Sequence, residues 1–317
     1  MPRRRARLRR RIWLALGLAG VVLAIGTWYA VPRVARVFEI KSLAAAAHDG
    51  AQVPTVEQVS YRSDGKRIAA DLYVPPNPKG YMVFAHGNRP EGRKHPLALA
   101  LAAGLGAHFT TLAFDFRGYG ESDPLGPYRP GMTLDLTADI MEGARYLAAR
   151  FGVPVEEVIL VGHSFGSVTV GLAGKKLGSR QVVAIGSGDV EDMIRNAEQA
   201  EAQTRKLKKI DLDVPSEDVP ALYAPLHADK VFDECPVGDR IFIWGEKESS
   251  KNTLTEHLDR LRRNCATRVI IAIIPLANHM YWSEGREFRS SKLYSVFIHD
   301  RDWADSVVGA ILIHLLG

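Results

Sequence analysis

Cysteine is nearly absent from this 317-residue chain, which has only Cys235 and Cys265, neither in a CxxC or CxxH pattern. That scarcity argues against a structural zinc site, which draws on closely spaced thiolates and imidazoles. No internal repeat and no low-complexity tract occurs, so a solenoid is excluded. A hydrophobic fraction of 46% with 24% charged residues excludes wholesale disorder. Acidic residues are missing from the first eleven positions, which hold seven arginines (Arg3, Arg4, Arg5, Arg7, Arg9, Arg10 and Arg11). Beyond that tail the acids slightly outnumber the bases. The formal charge of +5 therefore belongs to the tail, and the body offers no electrostatic case for nucleic acid.

What is present begins with one long apolar run. From Ile12 to Val31 no residue is charged, and a helix of that length spans roughly 30 Å, the hydrocarbon thickness of a bilayer. Trp28 and Tyr29 close its far end, where aromatic rings favour the membrane interface. The expected organisation is a basic cytoplasmic tail (1–11), a transmembrane helix (12–31), a juxtamembrane helix and linker (32–54) and a globular domain (55–317). The positive-inside rule then puts that domain on the outer, periplasmic or extracellular, side. A cleaved leader is the competing reading, opposed by the bulky Trp28 where a small residue is needed before a cut at Val31.

From Thr55 the texture alternates between strands and helices. VEQVSYRS, a turn at Asp64-Gly65 and RIAADLYVP predict a hairpin. The runs YMVFAH, FTTLAFDF, EEVILVG, QVVAIGS, RIFIWG and RVIIAIIP predict buried strands separated by helices. Continuous apolar strands of this kind imply a mostly parallel sheet covered on both faces, in the α/β class. The last helix, DWADSVVGAILIHLL, is interrupted by charge and His314 and reads as a docked core helix. Residues 189–237 are polar and charge-dense between two core strands, which predicts a small helical lid or a solvated surface excursion.

The sharpest motif is Gly162-His163-Ser164-Phe165-Gly166, directly after VILV and before a helix. This is G-x-S-x-G in the strand-turn-helix setting its mechanics require. Together with FAHGN at 84–88, DFRGYGES at 115–122, IWGEKE at 243–248 and Asn278-His279, it makes the chain resemble an α/β-hydrolase fold serine hydrolase from about residue 55 onward. The resemblance implies Ser164 as nucleophile, His279 as general base and an acid after IFIWG that lands on Glu248. Family members more often carry Asp there, and Asp189, after the preceding strand, is the other position from which this fold supplies the acid. Backbone N–H groups of Phe165 and Asn88 would form the oxyanion hole. No cofactor and no metal are implied.

His86 and His163 look catalytic but read as structural, and DFRGYGES as loop architecture braced by Asp115 and Arg117. Tyr281 and Trp282 read as packing or as pocket lining. If the strands after Cys235 and Cys265 are parallel neighbours, both thiols reach one sheet edge. A disulfide and two separate thiols both remain open. The expected activity is cleavage of a small-molecule or lipid ester, thioester or amide through an acyl-enzyme. Acyl transfer or perhydrolysis by the same residues, or a silent membrane-tethered binding protein, are the alternatives.

Overall fold

The computed structural model describes residues 34–232, 235–275, 277–279 and 300–316. The apolar run at 12–31, Tyr281 and Trp282 lie outside them. No helix among the described residues is long and apolar enough to cross a membrane.

Eight strands form one sheet: β1 (Thr55–Ser63), β2 (Lys66–Val74), β3 (Tyr81–Ala85), β4 (Thr110–Phe114), β5 (Ile159–His163), β6 (Gln181–Ile185), β7 (Asp239–Gly245) and β8 (Val269–Ile274). Their spatial order is β1-β2-β4-β3-β5-β6-β7-β8. The hairpin β1–β2 and the β2–β4 pair are antiparallel, and every pair from β4 to β8 is parallel. The C-terminal helix does dock into the core.

The period-two geometry of a strand divides the apolar side chains between two cores. On β3, Met82 and Phe84 face one core while Val83 and Ala85 face the other, and all four are buried. One core lies under helices α2 (Pro96–Gly106) and α10 (Asp300–Leu316), with a helix over 34–48, α1, packed beside them. Ile40, Ala44 and Ala47 of α1 are buried. An ion pair from Lys41 to Asp302 and a hydrogen bond between His48 Nε2 and Asp305 Oδ2, 3.1 Å, pin α1 to α10. A Cβ on Gly309 would lie 1.8 Å from the carbonyl oxygen of Leu43, so the two helices touch backbone to backbone there.

The other core lies under α3 (Thr137–Phe151), α4 (Phe165–Leu177) and α9 (Thr255–Asn264), together with the segment joining β6 to β7. That segment carries α5 (Ala197–Leu207), α6 (Val219–Tyr223) and α7 (Ala228–Phe232). Asn196 opens α5 with a reciprocal capping box to Gln199. Its polar sequence conceals an apolar face: Leu207, Ile210, Leu212, Val214 and Leu222 are buried. A hydrogen bond from Leu134 N–H to Leu222 O, 2.8 Å, ties it to the body.

Cys235 and Cys265 are joined in a disulfide across the entrances to β7 and β8, with Cα atoms 5.3 Å apart. Parallel pairing of those two strands brings the thiols together. The strand order reverses direction between β3 and β5, so a crevice opens at their carboxyl ends, the usual ligand position in open α/β sheets.

Candidate active site

Two loops enter that crevice, one after β3 and one after β5. The second is the turn at Ser164, whose backbone sits at φ 55°, ψ −119°. A side-chain-bearing residue in that region is strained, and such strain is held only where surrounding contacts over-determine it. Here the Ser164 N–H donates to Ile185 O on the neighbouring strand at 2.8 Å. The flanking glycines permit the turn. A Cβ on Gly162 would lie 2.2 Å from Gly166 O, and one on Gly166 would lie 2.3 Å from Ala85 O. α4 begins at Phe165, so the Phe165 N–H has no intrahelical acceptor and the positive end of the helix lies beside the hydroxyl.

The structure brings Ser164, His279 and Glu248 together from three separate strand ends. His279 Nε2 is 2.9 Å from Ser164 Oγ, and His279 Nδ1 is 3.0 Å from Glu248 Oε2. The Glu248 carboxylate is buried and fully engaged. Its Oε1 accepts the Gly245 N–H at 2.7 Å, and its Oε2 also accepts the Ser250 hydroxyl at 3.2 Å. The imidazole is oriented by an acceptor on one nitrogen and aimed at a hydroxyl with the other.

Asp189 lies elsewhere. Its Oδ1 accepts the N–H groups of Glu191 and Ala228, at 3.0 and 3.4 Å, where the β6–β7 segment departs. Glu246 is turned outward to Arg36, 2.8 Å away. Asp123 accepts the Arg67 N–H at 2.7 Å.

The loop after β3 is held by His86. Its Nδ1–H donates to Gly87 O at 2.7 Å and its Nε2 accepts the Phe116 N–H at 3.1 Å. Both nitrogens are thus used by backbone, and burial pushes the imidazole pKa down, so the ring stays neutral. Asn88, next in the loop, accepts a hydrogen bond from the Tyr119 hydroxyl through Oδ1 at 2.8 Å. Its side chain is therefore occupied by loop packing. Arg93 anchors the same loop from below and is almost wholly buried. It donates from its backbone N–H to Asp115 Oδ1 at 2.7 Å, from its guanidinium to Asp115 Oδ2, and to Asp71 at 2.9 Å and Glu121 at 2.6 Å. Arg117 instead serves Asp139 on α3, at 2.6 and 2.9 Å.

His163, beside Ser164, donates from Nε2 to the His279 carbonyl oxygen at 3.0 Å, and the two rings lie 5.2 Å apart. Burial first, and the neighbouring His279 second, lower the His163 pKa to about 3. A neutral His163 therefore holds the backbone of His279.

Sequence reasoning missed Gly186, Ser250 and Arg93. Gly186 alone had a recognisable signal, a glycine closing an apolar strand. Ser164, His279, Asn88 and Phe165 all line one cavity of about 680 Å³, roofed by the β6–β7 segment.

Residues 82–305 match the sequence model of the Alpha/beta hydrolase family. Among curated proteins, the chain is 35% identical to the proline iminopeptidase PfmaB of Pestalotiopsis fici over 85 residues, which is 27% of each protein. It is 33% identical over 114 residues to the alpha/beta hydrolase domain-containing protein aho-3 of Caenorhabditis elegans, covering 35% of this chain and 32% of that one. The chain thus spans about a third or less of the curated relatives it matches. An esterase of Pyrococcus furiosus shares the fold, with a TM-score of 0.53 at 14% identity over 83% of this chain and 94% of the esterase. The match over 82–305 extends through every strand from β3 to β8 and includes the turn at Ser164: the chain belongs to the alpha/beta hydrolase family.

Proposed function

We propose that the protein is a serine hydrolase that cleaves a carboxylic ester through an acyl-enzyme on Ser164. The observation that carries this reading is the unbroken relay from Ser164 Oγ through the His279 ring to the buried Glu248 carboxylate, at 2.9 and 3.0 Å. A serine hydroxyl is inert at neutral pH unless a base removes its proton during attack. His279 Nε2 takes that proton as the Oγ–carbon bond forms, then delivers it to the leaving alcohol as the ester carbon–oxygen bond breaks. Water repeats the sequence, its proton passing through His279 to Ser164 Oγ as the acid is released. Glu248 holds the ring with Nδ1 protonated and stabilises the imidazolium that forms.

The oxyanion of each tetrahedral intermediate is received by the N–H groups of Phe165 and Asn88. The helix-opening position of Phe165 and the fastening of the Asn88 loop by His86 and Arg93 support this assignment. One such donor is typically worth about 100- to 1000-fold in rate.

The charge-free run at 12–31 serves as a signal anchor, with the arginine tail in the cytoplasm and the catalytic body on the outer side of the membrane. The disulfide between Cys235 and Cys265 supports an oxidising location. The β6–β7 segment acts as a lid over the nucleophile.

Labelling with a fluorophosphonate probe tests the nucleophile. Wild type reacts and Ser164→Ala does not; an unreactive wild type, or equal labelling of the variant, refutes the reading. Protease added to intact cells tests the topology, since digestion is expected and protection contradicts an outward-facing body.

A further inference from the structure

The cavity at Ser164 and His279 is also lined by Arg89, Arg195, Lys206 and Lys209. Carboxylates on the same wall are already engaged. Asp192 is ion-paired with Arg195, and Asp189 accepts two backbone N–H groups. Lys206 and Lys209 stand three positions apart where α5 runs into a 3₁₀ turn, Lys208–Ile210. That spacing puts them on one side of the helical stretch, while the adjoining Leu207 and Ile210 are buried.

Their immediate neighbours behave differently. Arg205 faces Glu201 at 3.7 Å and Lys208 faces Asp213 at 3.1 Å, both outside the cavity. Among the described residues no carboxylate pairs with Lys206 or Lys209. On this stretch of the lid, acids accompany Arg205 and Lys208, which point away, whereas the described residues place none beside Lys206 and Lys209. Desolvation, followed by the charges of Arg89 and Lys209, pushes the Lys206 ammonium pKa below its ordinary value. Like charges gathered at one rim repel each other, and a bound anion relieves that repulsion.

We propose that the cavity takes an ester carrying an anionic group, phosphate or carboxylate, which Lys206, Lys209 and Arg89 hold while the ester carbonyl faces Ser164. The assignment rests on Ser164 being the nucleophile of a serine hydrolase. Arg89 directly follows Asn88, so one cation stands next to the carbonyl site while the two lysines reach in from the lid. Val168, Val190 and Met193 line the space between with apolar surface suited to a hydrocarbon spacer.

The test uses the full chain and two matched pairs of substrates. Mono-p-nitrophenyl glutarate is compared with its methyl ester, and oleoyl lysophosphatidic acid with monooleoylglycerol. At low salt at least one anionic member exceeds its neutral twin by about tenfold or more in kcat/KM, and the margin shrinks as salt rises. The larger ratio identifies carboxylate or phosphate as the anion. Lys206→Glu combined with Lys209→Glu lowers that ratio by about 10- to 100-fold, whereas Lys208→Glu leaves it in place. Ratios at or below one in both pairs, or a ratio that the double variant does not move, overturn the proposal. Fluorophosphonate labelling run alongside separates the two readings: labelled Ser164 without anionic preference refutes the anion site alone, and an unlabelled wild type refutes both.

Discussion

Gly186 and the His279 ring approach so closely that a Cβ at 186 would crowd the ring. A Cβ on Gly186 would lie 3.0 Å from both Cε1 and Nδ1 of His279 and 3.2 Å from Glu248 Oε2. Gly186 also has φ +62°, a conformation that a side chain makes costly. Gly186→Ala is expected to push the imidazole off line and lower kcat/KM by roughly 100-fold, the scale of a 1 Å misplacement. Steady-state kinetics on a p-nitrophenyl ester checks it, and a variant at wild-type rate shows that the ring has freedom the contacts deny.

Glu248 and Asp189 separate cleanly by what each touches. Glu248→Gln removes the charge facing the imidazolium and is expected to lower kcat by about 1000- to 10,000-fold, with the fold intact. Asp189→Asn disturbs two backbone N–H contacts at the root of the lid and should reduce kcat far less. Parallel measurement of kcat and melting temperature distinguishes the two, and the reverse order would move the orienting acid to Asp189.

Arg93 neutralises the fully buried Asp115 beneath the loop after β3. Arg93→Met leaves that carboxylate without its cation, a change expected to cost about 3–5 kcal/mol. Denaturant unfolding measures it. The same variant should lose activity while folded, because the loop bearing Asn88 loses the guanidinium contacts to Asp115 and Asp71.

The disulfide closes a stretch of chain with a sequence separation of 30. Loop-closure entropy then gives about 3–4 kcal/mol of stabilisation. Reductant, or the double variant Cys235→Ser and Cys265→Ser, should lower the unfolding free energy by that order. Unchanged denaturation curves under reductant would remove the bond from the stability of the fold.

His163 sets a pH limit. Its folded pKa of about 3 lies below the ordinary 6.5. Between those values the unfolded chain binds the proton and the folded chain does not. Stability is therefore complete above pH 6.5 and is lost as pH falls toward 3, at up to about 1.4 kcal/mol per unit. His163→Gln retains an N–H for the His279 carbonyl and does not titrate. Its melting temperature should fall less than that of wild type on acidification; parallel curves would assign the acid sensitivity to other groups.

Much of this site is visible in the linear chain, because a nucleophile turn needs specific residues at fixed offsets. Gly162 lies in the end of a buried strand, Ser164 makes the turn and Gly166 stands in the first turn of a helix, and a Cβ on either glycine would come within 2.2–2.3 Å of a carbonyl oxygen. The continuous apolar strands likewise announce a sheet covered on both faces. Less visible are the contacts between residues far apart in sequence. Arg93 meets Asp115 across 22 residues, and His163 meets His279 across 116. Neither pair has a local pattern that links its members.

The apolar face of α5 was hidden for a related reason. Its buried residues are spaced by a helical repeat inside a stretch whose average composition is charged. The same repeat turns Lys206 and Lys209 toward the cavity at Ser164 and Lys208 away from it.

By itself the sequence determined the fold family, the turn that carries Ser164, and the strand ends that bear His279, Glu248 and Asp189. Local sterics and hydrophobic periodicity act over a few residues and leave their mark in the chain. Tertiary structure decided that Glu248 rather than Asp189 meets His279, that the two cysteines join, and that Lys206 and Lys209 converge on the cavity. Those outcomes depend on strand order and side-chain direction, which arise only when distant segments pack together.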